Sequence, residues 1–126
     1  MTGPRPTSGH LVVCLDFDGT LHRYSRGWAD GEIYDPPVPG TAAALADMAA
    51  RGWTPVVCSS RTPPGDIRAW LARQGLPDLA VTNVKPAAVA YVDDRAVTFE
   101  GDWPAALAAV DRLIRRGPWT RGMGER

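Results

Sequence analysis

The chain has 126 residues, the size of one domain with a single core. Its 14 basic and 14 acidic residues cancel, so no overall field attracts nucleic acid or an anionic membrane, although a local patch could still bind nucleic acid. The longest apolar run is far too short to span a bilayer, and residues 1–10 lack the apolar segment of a secretory signal. We predict a cytoplasmic protein with a flexible leader at 1–10, one domain at 11–116 and a disordered tail at 117–126.

The predicted first strand, residues 11–15, leads directly into two carboxylates. Its apolar sequence is typical of a buried strand, and Asp16 and Asp18 follow it, with Phe17 between them and a turn at Gly19. Acids at the end of a buried strand cost desolvation free energy unless a cation compensates them. A divalent metal is the usual cation, because hard cations bind carboxylate oxygens. The segment therefore predicts a metal site at the carboxyl end of a strand.

The remaining chain alternates between helices and strands. Residues 21–38 are too long for an ordinary βα loop and are predicted to form an irregular, functional flap. Helices are predicted at 41–51, 63–75 and 103–116, and further strands at 53–58, 79–82, 89–92 and 97–99. The alternation predicts an α/β fold, Rossmann-like, with three α/β/α layers and a mostly parallel five-stranded sheet. Cys14 and Cys58 lie in strand-like runs and are predicted to be buried reduced thiols, with a disulfide as the minor alternative.

Polar residues follow several predicted strands at the point where each strand ends. They are Asp16 and Asp18 after the first strand, Ser59 after the second, and Asp93 and Asp94 after the fourth. Lys85 is the only lysine and falls just past the third strand. The carboxyl ends of parallel strands share one edge of the sheet, so we expect these side chains to converge in one crevice.

Such a set of groups is suited to phosphoryl transfer. One Asp can attack phosphorus, and a second can protonate the leaving oxygen and then deprotonate a water molecule. Mg²⁺ and lysine can neutralise the charge on the phosphoryl oxygens. A serine hydroxyl and turn N–H groups can donate hydrogen bonds to the same oxygens.

Over residues 11–116 the chain resembles the haloacid dehalogenase (HAD) superfamily of phosphatases. Four motifs carry the resemblance: a D-x-D-G-[TV] turn, a strand ending in Ser or Thr, a Lys often followed by Pro, and a strand ending in paired acids. They are matched by Asp16-Phe17-Asp18-Gly19-Thr20, Val56-Val57-Cys58-Ser59, Lys85-Pro86 and Tyr91-Val92-Asp93-Asp94.

The resemblance implies a role for each motif residue. Asp16 would be the nucleophile, Asp18 the general acid/base, Ser59 the phosphate-binding hydroxyl and Lys85 the charge stabiliser. Ser59 could instead cap a helix, or its neighbouring serine could take its role. Further candidate substrate contacts are Gly19, Thr20, Ser60, Arg61 and Trp28.

The resemblance also implies a Mg²⁺ site. Its ligands would be Asp16, the main-chain carbonyl of Asp18 and one acid of the Asp93-Asp94 pair. Asp94 is favoured as the direct ligand, and Asp93 would act through water or by orienting Lys85.

The short gaps between the motifs imply an enzyme with no large cap domain and an open active site. Open sites suit bulky substrates such as nucleic-acid ends or phosphoproteins, or use an oligomeric neighbour as a lid. The flap carries three aromatic residues and two arginines, namely Tyr24, Trp28, Tyr34, Arg23 and Arg26. These side chains could stack a base and hold a phosphate, or the aromatic residues could simply pin the flap to the body.

The leading hypothesis is a Mg²⁺-dependent phosphomonoester hydrolase that works through an aspartyl-phosphate. One alternative is an end-processing enzyme similar to polynucleotide 3′-phosphatases, because the Ser-Ser-Arg run that ends at Arg61 resembles the Ser-Gly-Arg of those enzymes. Arg61 could equally well form a surface salt bridge. Another alternative is a non-catalytic HAD domain that binds a phosphate or a partner. A phosphoacceptor receiver domain is disfavoured, because its acid pair would follow the first strand. The substrate and the oligomeric state cannot be deduced from the sequence.

Overall fold

The computed structural model describes residues 11–61 and 63–116, and they form a mixed α/β fold. The predicted leader and tail lie outside these residues. The elements in chain order are β1 Leu11–Leu15, α1 Thr41–Ala50, β2 Trp53–Cys58, α2 Pro64–Arg73, β3 Ala80–Thr82, β4 Ala90–Val92 and α3 Trp103–Arg116. Among the described residues, no helix combines the length and apolarity needed to cross a membrane.

The sheet has four parallel strands in the order β3-β2-β1-β4. Strand β1 is central, with Cys14 paired to Val56 of β2 on one side and to Tyr91 of β4 on the other. The main-chain N–H of Asp16 continues the ladder by donating to the Val92 carbonyl at 2.9 Å. The first acidic motif therefore lies beside the acid pair that follows β4.

One face of the sheet carries the core. Alternate residues of β1 and β2 point to this face, where they pack against α1 and α2. The central members of this core are Val13, Leu15, Phe17, Val57, Leu45, Ile67, Trp70 and Leu71. Because Phe17 is completely buried in this cluster, the flanking residues Asp16 and Asp18 are fixed at the rim of the core.

The predicted third layer is not formed by the described residues. Residues 83–89, which connect β3 to β4, contain no helix, although a crossover between parallel strands usually holds one. Helix α3 contributes no residue to the core cluster and buries only Ala106. The Rossmann-like three-layer arrangement is therefore not confirmed, and the described fold is a parallel sheet with its core on one face.

The predicted fifth strand at 97–99 is wrong, because these residues form no strand. A three-residue strand at the edge of a sheet forms few hydrogen bonds and is weakly stabilised. The neighbouring strand β4 is itself only three residues long, and all three are exposed. Phe99 instead stacks on Trp103, with ring centroids 4.8 Å apart. The other predicted strands and helices are present, with ends that shift by one or two residues.

The two cysteines are free thiols beside each other on neighbouring strands. Cys14 is buried, and this burial, followed by the charge of Cys58, raises the pKa of Cys14 to about 11. Cys58 is only half-buried. The prediction of reduced thiols is confirmed, and the prediction of full burial holds for Cys14 alone.

Candidate active site at the carboxyl edge of the sheet

Three carboxylates gather where β1 and β4 end. Each of Asp16, Asp93 and Asp94 contributes one oxygen to a group whose members all lie within 4.8 Å of one another. The adjacency of β1 and β4 explains this proximity, because it joins residues that are far apart in the chain. Asp93 is exposed and its Oδ1 accepts the Arg95 N–H at 2.8 Å, whereas Asp16 and Asp94 are half-buried.

Among the described residues, two buried side-chain oxygens have no hydrogen-bond partner, and both belong to this cluster. They are Asp16 Oδ2 and Asp94 Oδ1. Burial and then the charge of Asp93 raise the pKa of Asp16 to about 7, and burial also raises the pKa of Asp94. Buried carboxylate oxygens without donors are costly unless a cation pairs with them. The three-acid cluster therefore fits a hard divalent cation such as Mg²⁺.

Gly19 shapes the site by leaving room for Asp94. Its φ of +84° lies in the left-handed region that favours glycine, and a Cβ at this position would overlap the Asp94 carboxylate. The Gly19 N–H is bonded to the His22 carbonyl at 2.8 Å within the turn. The glycine of the first motif thus permits the close approach of the turn to the acid pair.

Lys85 reaches the same region from the opposite face of the sheet. It lines a cavity of about 490 Å³ together with Asp16, Asp93 and Cys58. Its ammonium group lies 4.5 Å from the centroid of the Tyr91 ring, within cation–π range. The only lysine of the chain therefore lines the same cavity as two of the three clustered acids.

The Asp18 side chain does not belong to this cluster, because Arg61 and His22 bind it. Arg61 donates to both carboxylate oxygens, from Nε at 2.8 Å and from Nη2 at 3.0 Å, and His22 Nδ1 lies 2.8 Å from Oδ1. Burial alone would raise the pKa of Asp18, but the hydrogen bonds from His22 and Arg61 outweigh it and lower that pKa. The structure thus separates the two motif acids, because the side chains of Arg61 and His22 both bind Asp18.

Arg61 is buried, with 8% of its surface exposed, so the interpretation of this residue as part of a surface salt bridge needs correction. It is not a surface salt bridge, and its guanidinium is directed to Asp18. Its Nη1 also donates to the Gly31 carbonyl at 2.9 Å, and the guanidinium carbon lies 5.0 Å from the Trp28 ring centroid. Arg61 therefore joins the end of β2, the first motif and the flap.

His22 is a central residue of the site that the sequence interpretation missed. It is completely buried, and its Nε2 accepts the Asp35 N–H at 3.1 Å. That acceptor role leaves Nδ1 to carry the proton that faces Asp18. Its position four residues after Asp18, within a turn rich in polar groups, is the signal that could have revealed it.

The aromatic residues of the flap differ in their packing. Tyr24 and Tyr34 contact the His22 ring at centroid distances of 5.7 and 5.1 Å, and the Tyr34 hydroxyl donates to the Gly27 carbonyl at 2.7 Å. Trp28 remains 44% exposed beside Arg61. The tyrosines thus pack around the buried His22 within the flap, and Trp28 is the flap aromatic that a ligand could reach.

The remaining candidate contacts lie around this edge. Ser59 follows β2, where its N–H donates to the Thr82 carbonyl at 2.9 Å and its Oγ accepts the Arg61 N–H at 3.2 Å. Ser60 is exposed beside it. Thr20 lines a separate cavity between the first motif and α1.

No family model matches the chain, and no match is found among curated proteins or solved structures. The site is therefore interpreted from its own geometry. That geometry combines three clustered acids with one lysine and, next to them, an Asp that is bound by an arginine and a histidine.

Proposed function

We propose that this protein is a Mg²⁺-dependent phosphomonoester hydrolase that uses Asp16 as its nucleophile. The observation that carries the proposal is the cluster of Asp16, Asp93 and Asp94, in which two buried oxygens have no hydrogen-bond donor. This arrangement favours a divalent cation, and the nearby Lys85 adds a positive charge suited to a phosphoryl group.

Asp16 and Asp94 are the proposed direct ligands of Mg²⁺, because each belongs to the cluster and has a buried oxygen without a hydrogen-bond partner. Asp93, whose Oδ1 already accepts the Arg95 N–H, is assigned to the outer side of the site. The main-chain carbonyl of Asp18 is a further ligand that the HAD resemblance implies. When bound, the ion supplies charge neutralisation for the phosphoryl oxygens.

In the first step an Asp16 oxygen attacks phosphorus and the bond from phosphorus to the leaving oxygen breaks. The leaving oxygen then takes a proton from Asp18. In the second step water attacks the aspartyl-phosphate, Asp18 accepts a proton from that water, and Asp16 is regenerated together with inorganic phosphate. Lys85 and the Ser59 hydroxyl stabilise the charge on the transferring group.

The contacts of Asp18 place a requirement on this scheme. Both of its oxygens accept N–H groups from Arg61, which stabilises the ionised base and disfavours the protonated form that an acid needs. Asp18 acts as the acid more readily if Arg61 releases one oxygen. A substrate phosphate could draw the guanidinium away, because arginine binds phosphate and carboxylate oxygens with the same planar geometry.

The test is hydrolysis of a generic aryl phosphate by the full chain. We expect turnover with Mg²⁺, none in excess chelator, and a loss of at least ~10³-fold in Asp16→Asn, because the amide is not a nucleophile. Asp78→Asn serves as the matched control, since Asp78 is an exposed acid outside the site. Mg²⁺ should also raise the melting temperature of the wild type and not of Asp94→Asn. Robust turnover by Asp16→Asn would refute the mechanism.

A binding domain without catalysis is the second candidate, and the Arg61–Asp18 pair is the observation that favours it. Such a domain would bind Mg²⁺ and inorganic phosphate in calorimetry but would turn over no member of a phosphomonoester panel. The panel should include nucleotides, sugar phosphates and 3′-phosphorylated oligonucleotides. The oligonucleotides test the alternative that the protein is an end-processing enzyme. Turnover that falls in Asp18→Asn would exclude the binding-only function.

A further inference from the structure

Trp28 keeps a large aromatic surface open on the flap. It is 44% exposed, although the glycine before it is buried. The Arg61 guanidinium carbon lies over the ring, 5.0 Å from its centroid. The edge of the ring passes the turn at Gly31, where an added Cβ would lie 3.9 Å from Cζ2 and Cη2. These neighbours hold the ring in one orientation without covering it, so a flat group can stack on it.

The flap carries Trp28 in a backbone conformation that is costly to form. Among the described residues, the non-glycine positions with positive φ are Tyr24 and Asp30, at 58° and 52°, and both lie in the flap. Left-handed backbone is unfavourable for residues with a Cβ, above all for a large residue such as tyrosine. Strain of this kind persists where surrounding contacts enforce it, and it is concentrated at active sites and ligand-binding sites. The strained positions on both sides of Trp28 therefore favour a functional role for the exposed ring.

Hydrogen bonds on both sides of Trp28 enforce this conformation. The Tyr34 hydroxyl donates to the Gly27 carbonyl at 2.7 Å, directly before Trp28. Arg61 Nη1 donates to the Gly31 carbonyl at 2.9 Å, three residues after Trp28. Because these contacts fix the backbone around the ring, the ring is in place before any ligand binds, and little conformational entropy is lost when a ligand stacks on it.

The ring of Trp28 lies close to the proposed general acid. Arg61 donates from Nε to Asp18 Oδ2 at 2.8 Å with the same guanidinium that lies over the ring. The ring centroid is therefore within about 9 Å of that oxygen, once the carbon–nitrogen bond of the guanidinium is included. In the proposed mechanism Asp18 protonates the oxygen of the leaving group, so this group must lie against Asp18. Trp28 is thus within reach of the leaving group of the substrate.

The chemistry of the ring and its distance from Asp18 indicate which leaving group fits. An indole ring stacks on another flat aromatic ring, and every nucleobase has such a face. In a nucleotide a sugar separates the base from the ester oxygen, and this spacer can cover the distance from Asp18 to the ring. A nucleoside therefore allows one substrate to place its ester oxygen at Asp18 and its base on Trp28.

We propose that Trp28 stacks the base of the substrate and that the substrate is a phosphomonoester of a nucleoside, supplied as a free mononucleotide or as the phosphorylated end of an oligonucleotide. This inference rests on the proposed function and names its substrate class. An Asp16 oxygen takes the phosphoryl group, and the nucleoside oxygen takes a proton from Asp18. Water then releases inorganic phosphate from Asp16 and returns a proton to Asp18. The base stays on Trp28 during both steps and contributes to binding.

Two substrates that share a phosphorylated sugar and differ in the base test the proposal on the full chain with Mg²⁺. They are adenosine 5′-monophosphate and ribose 5-phosphate. We expect the wild type to prefer the nucleotide in kcat/KM by at least ~5-fold, the lower limit for a base stacked on an aromatic side chain. In Trp28→Leu this preference should be lost through a higher KM for the nucleotide, because stacking acts equally on the bound substrate and on the transition state. Trp28→Phe should retain part of the preference.

Trp103→Leu is the matched control, because Trp103 is 66% exposed on α3 and lies outside the site. This variant should keep the wild-type rates and the wild-type preference. If circular dichroism shows that Trp28→Leu is unfolded, Trp28→Met replaces it with the same expected result. Oligonucleotides with a 3′-phosphate, ending in a normal or an abasic nucleotide, distinguish the two sources of substrate. A Trp28-dependent preference that is confined to them assigns the chain end, and one confined to the mononucleotide assigns the free nucleotide.

A wild type that shows no preference for the base with either source would overturn the proposal. So would a preference that survives in Trp28→Leu. A protein that turns over none of these compounds would instead contradict the proposed function. Calorimetry with Mg²⁺ and non-hydrolysable phosphonate analogues then tests the stacking by itself. The nucleotide analogue should bind more tightly than the ribose analogue in the wild type and not in Trp28→Leu, and equal affinities in the wild type would overturn the stacking.

Discussion

Replacing Arg61 with alanine should strongly destabilise the fold. Its guanidinium makes two hydrogen bonds with Asp18, at 2.8 and 3.0 Å, and one with the Gly31 carbonyl at 2.9 Å. The side chains of Arg61 and Asp18 are only 6% and 16% exposed. Removing one partner of a buried ion pair leaves the other charge uncompensated and costs about 3–5 kcal/mol. That loss is a large part of the 5–15 kcal/mol that typically stabilises a domain.

Urea denaturation followed by circular dichroism measures this loss. For an m-value of about 2 kcal/mol per molar, the midpoint of Arg61→Ala should fall by roughly 2 M. Arg68→Ala is the matched control, because Arg68 donates two hydrogen bonds to Asp78 at 2.9 and 2.7 Å in an exposed position. Exposed pairs contribute little, so the midpoint of the control should barely move.

A double-mutant cycle then isolates the pair itself. Asp18→Asn should also destabilise the protein, and the variant carrying both changes should lose less than the sum of the two single losses, because neither charge is left alone. If Arg61→Ala shifts the midpoint no further than Arg68→Ala does, burial does not strengthen the Arg61–Asp18 contact. The assignment of Arg61 as the link between the first motif and the flap would then be refuted.

Two further substitutions probe the acid cluster. Gly19→Ala should cost about 1–2 kcal/mol for its left-handed backbone and should also displace Asp94, so that Mg²⁺-dependent turnover falls. Gly75→Ala is the matched control, because Gly75 also has a positive φ but an added Cβ there would contact nothing. This variant should lose stability and keep its turnover. Equal turnover in the two variants would contradict the close approach of Gly19 to Asp94. Lys85→Arg should lower turnover without unfolding the protein, because Lys85 is exposed and the wider guanidinium fits less well beside Tyr91. A wild-type rate in this variant would remove Lys85 from the site.

The central strands could be predicted from the sequence because each is a continuous apolar run that ends at polar residues. Strands β1 and β2 have the predicted bounds, and α1 and α2 supply core residues that pack against them. The predicted strand at 97–99 failed because short edge strands depend on neighbours and not on local sequence. The predicted third layer is not confirmed for a related reason. Alternation of elements does not show which face of the sheet α3 covers.

The acid cluster could be anticipated, whereas the contact of Asp18 with Arg61 could not. Asp16, Asp93 and Asp94 meet because parallel strands end at one edge, a rule that applies before any side chain is placed. The contact between Asp18 and Arg61 joins residues 43 positions apart and depends on the path of the flap. No local pattern predicts such a contact.

The two acids of the first motif are compensated in different ways, and this difference would let one short turn combine the two proposed functions. Phe17 enters the core and holds Asp16 and Asp18 apart at its rim. Asp18 receives Arg61 and His22 from the protein, so its charge is satisfied within the chain. Asp16 lies among other carboxylates, and its buried oxygen has no hydrogen-bond donor, so a bound cation would be needed to stabilise its charge. A protein that needed these acids only for stability would gain more by pairing both internally. The unequal compensation therefore favours a ligand-binding role for the Asp16 side of the turn.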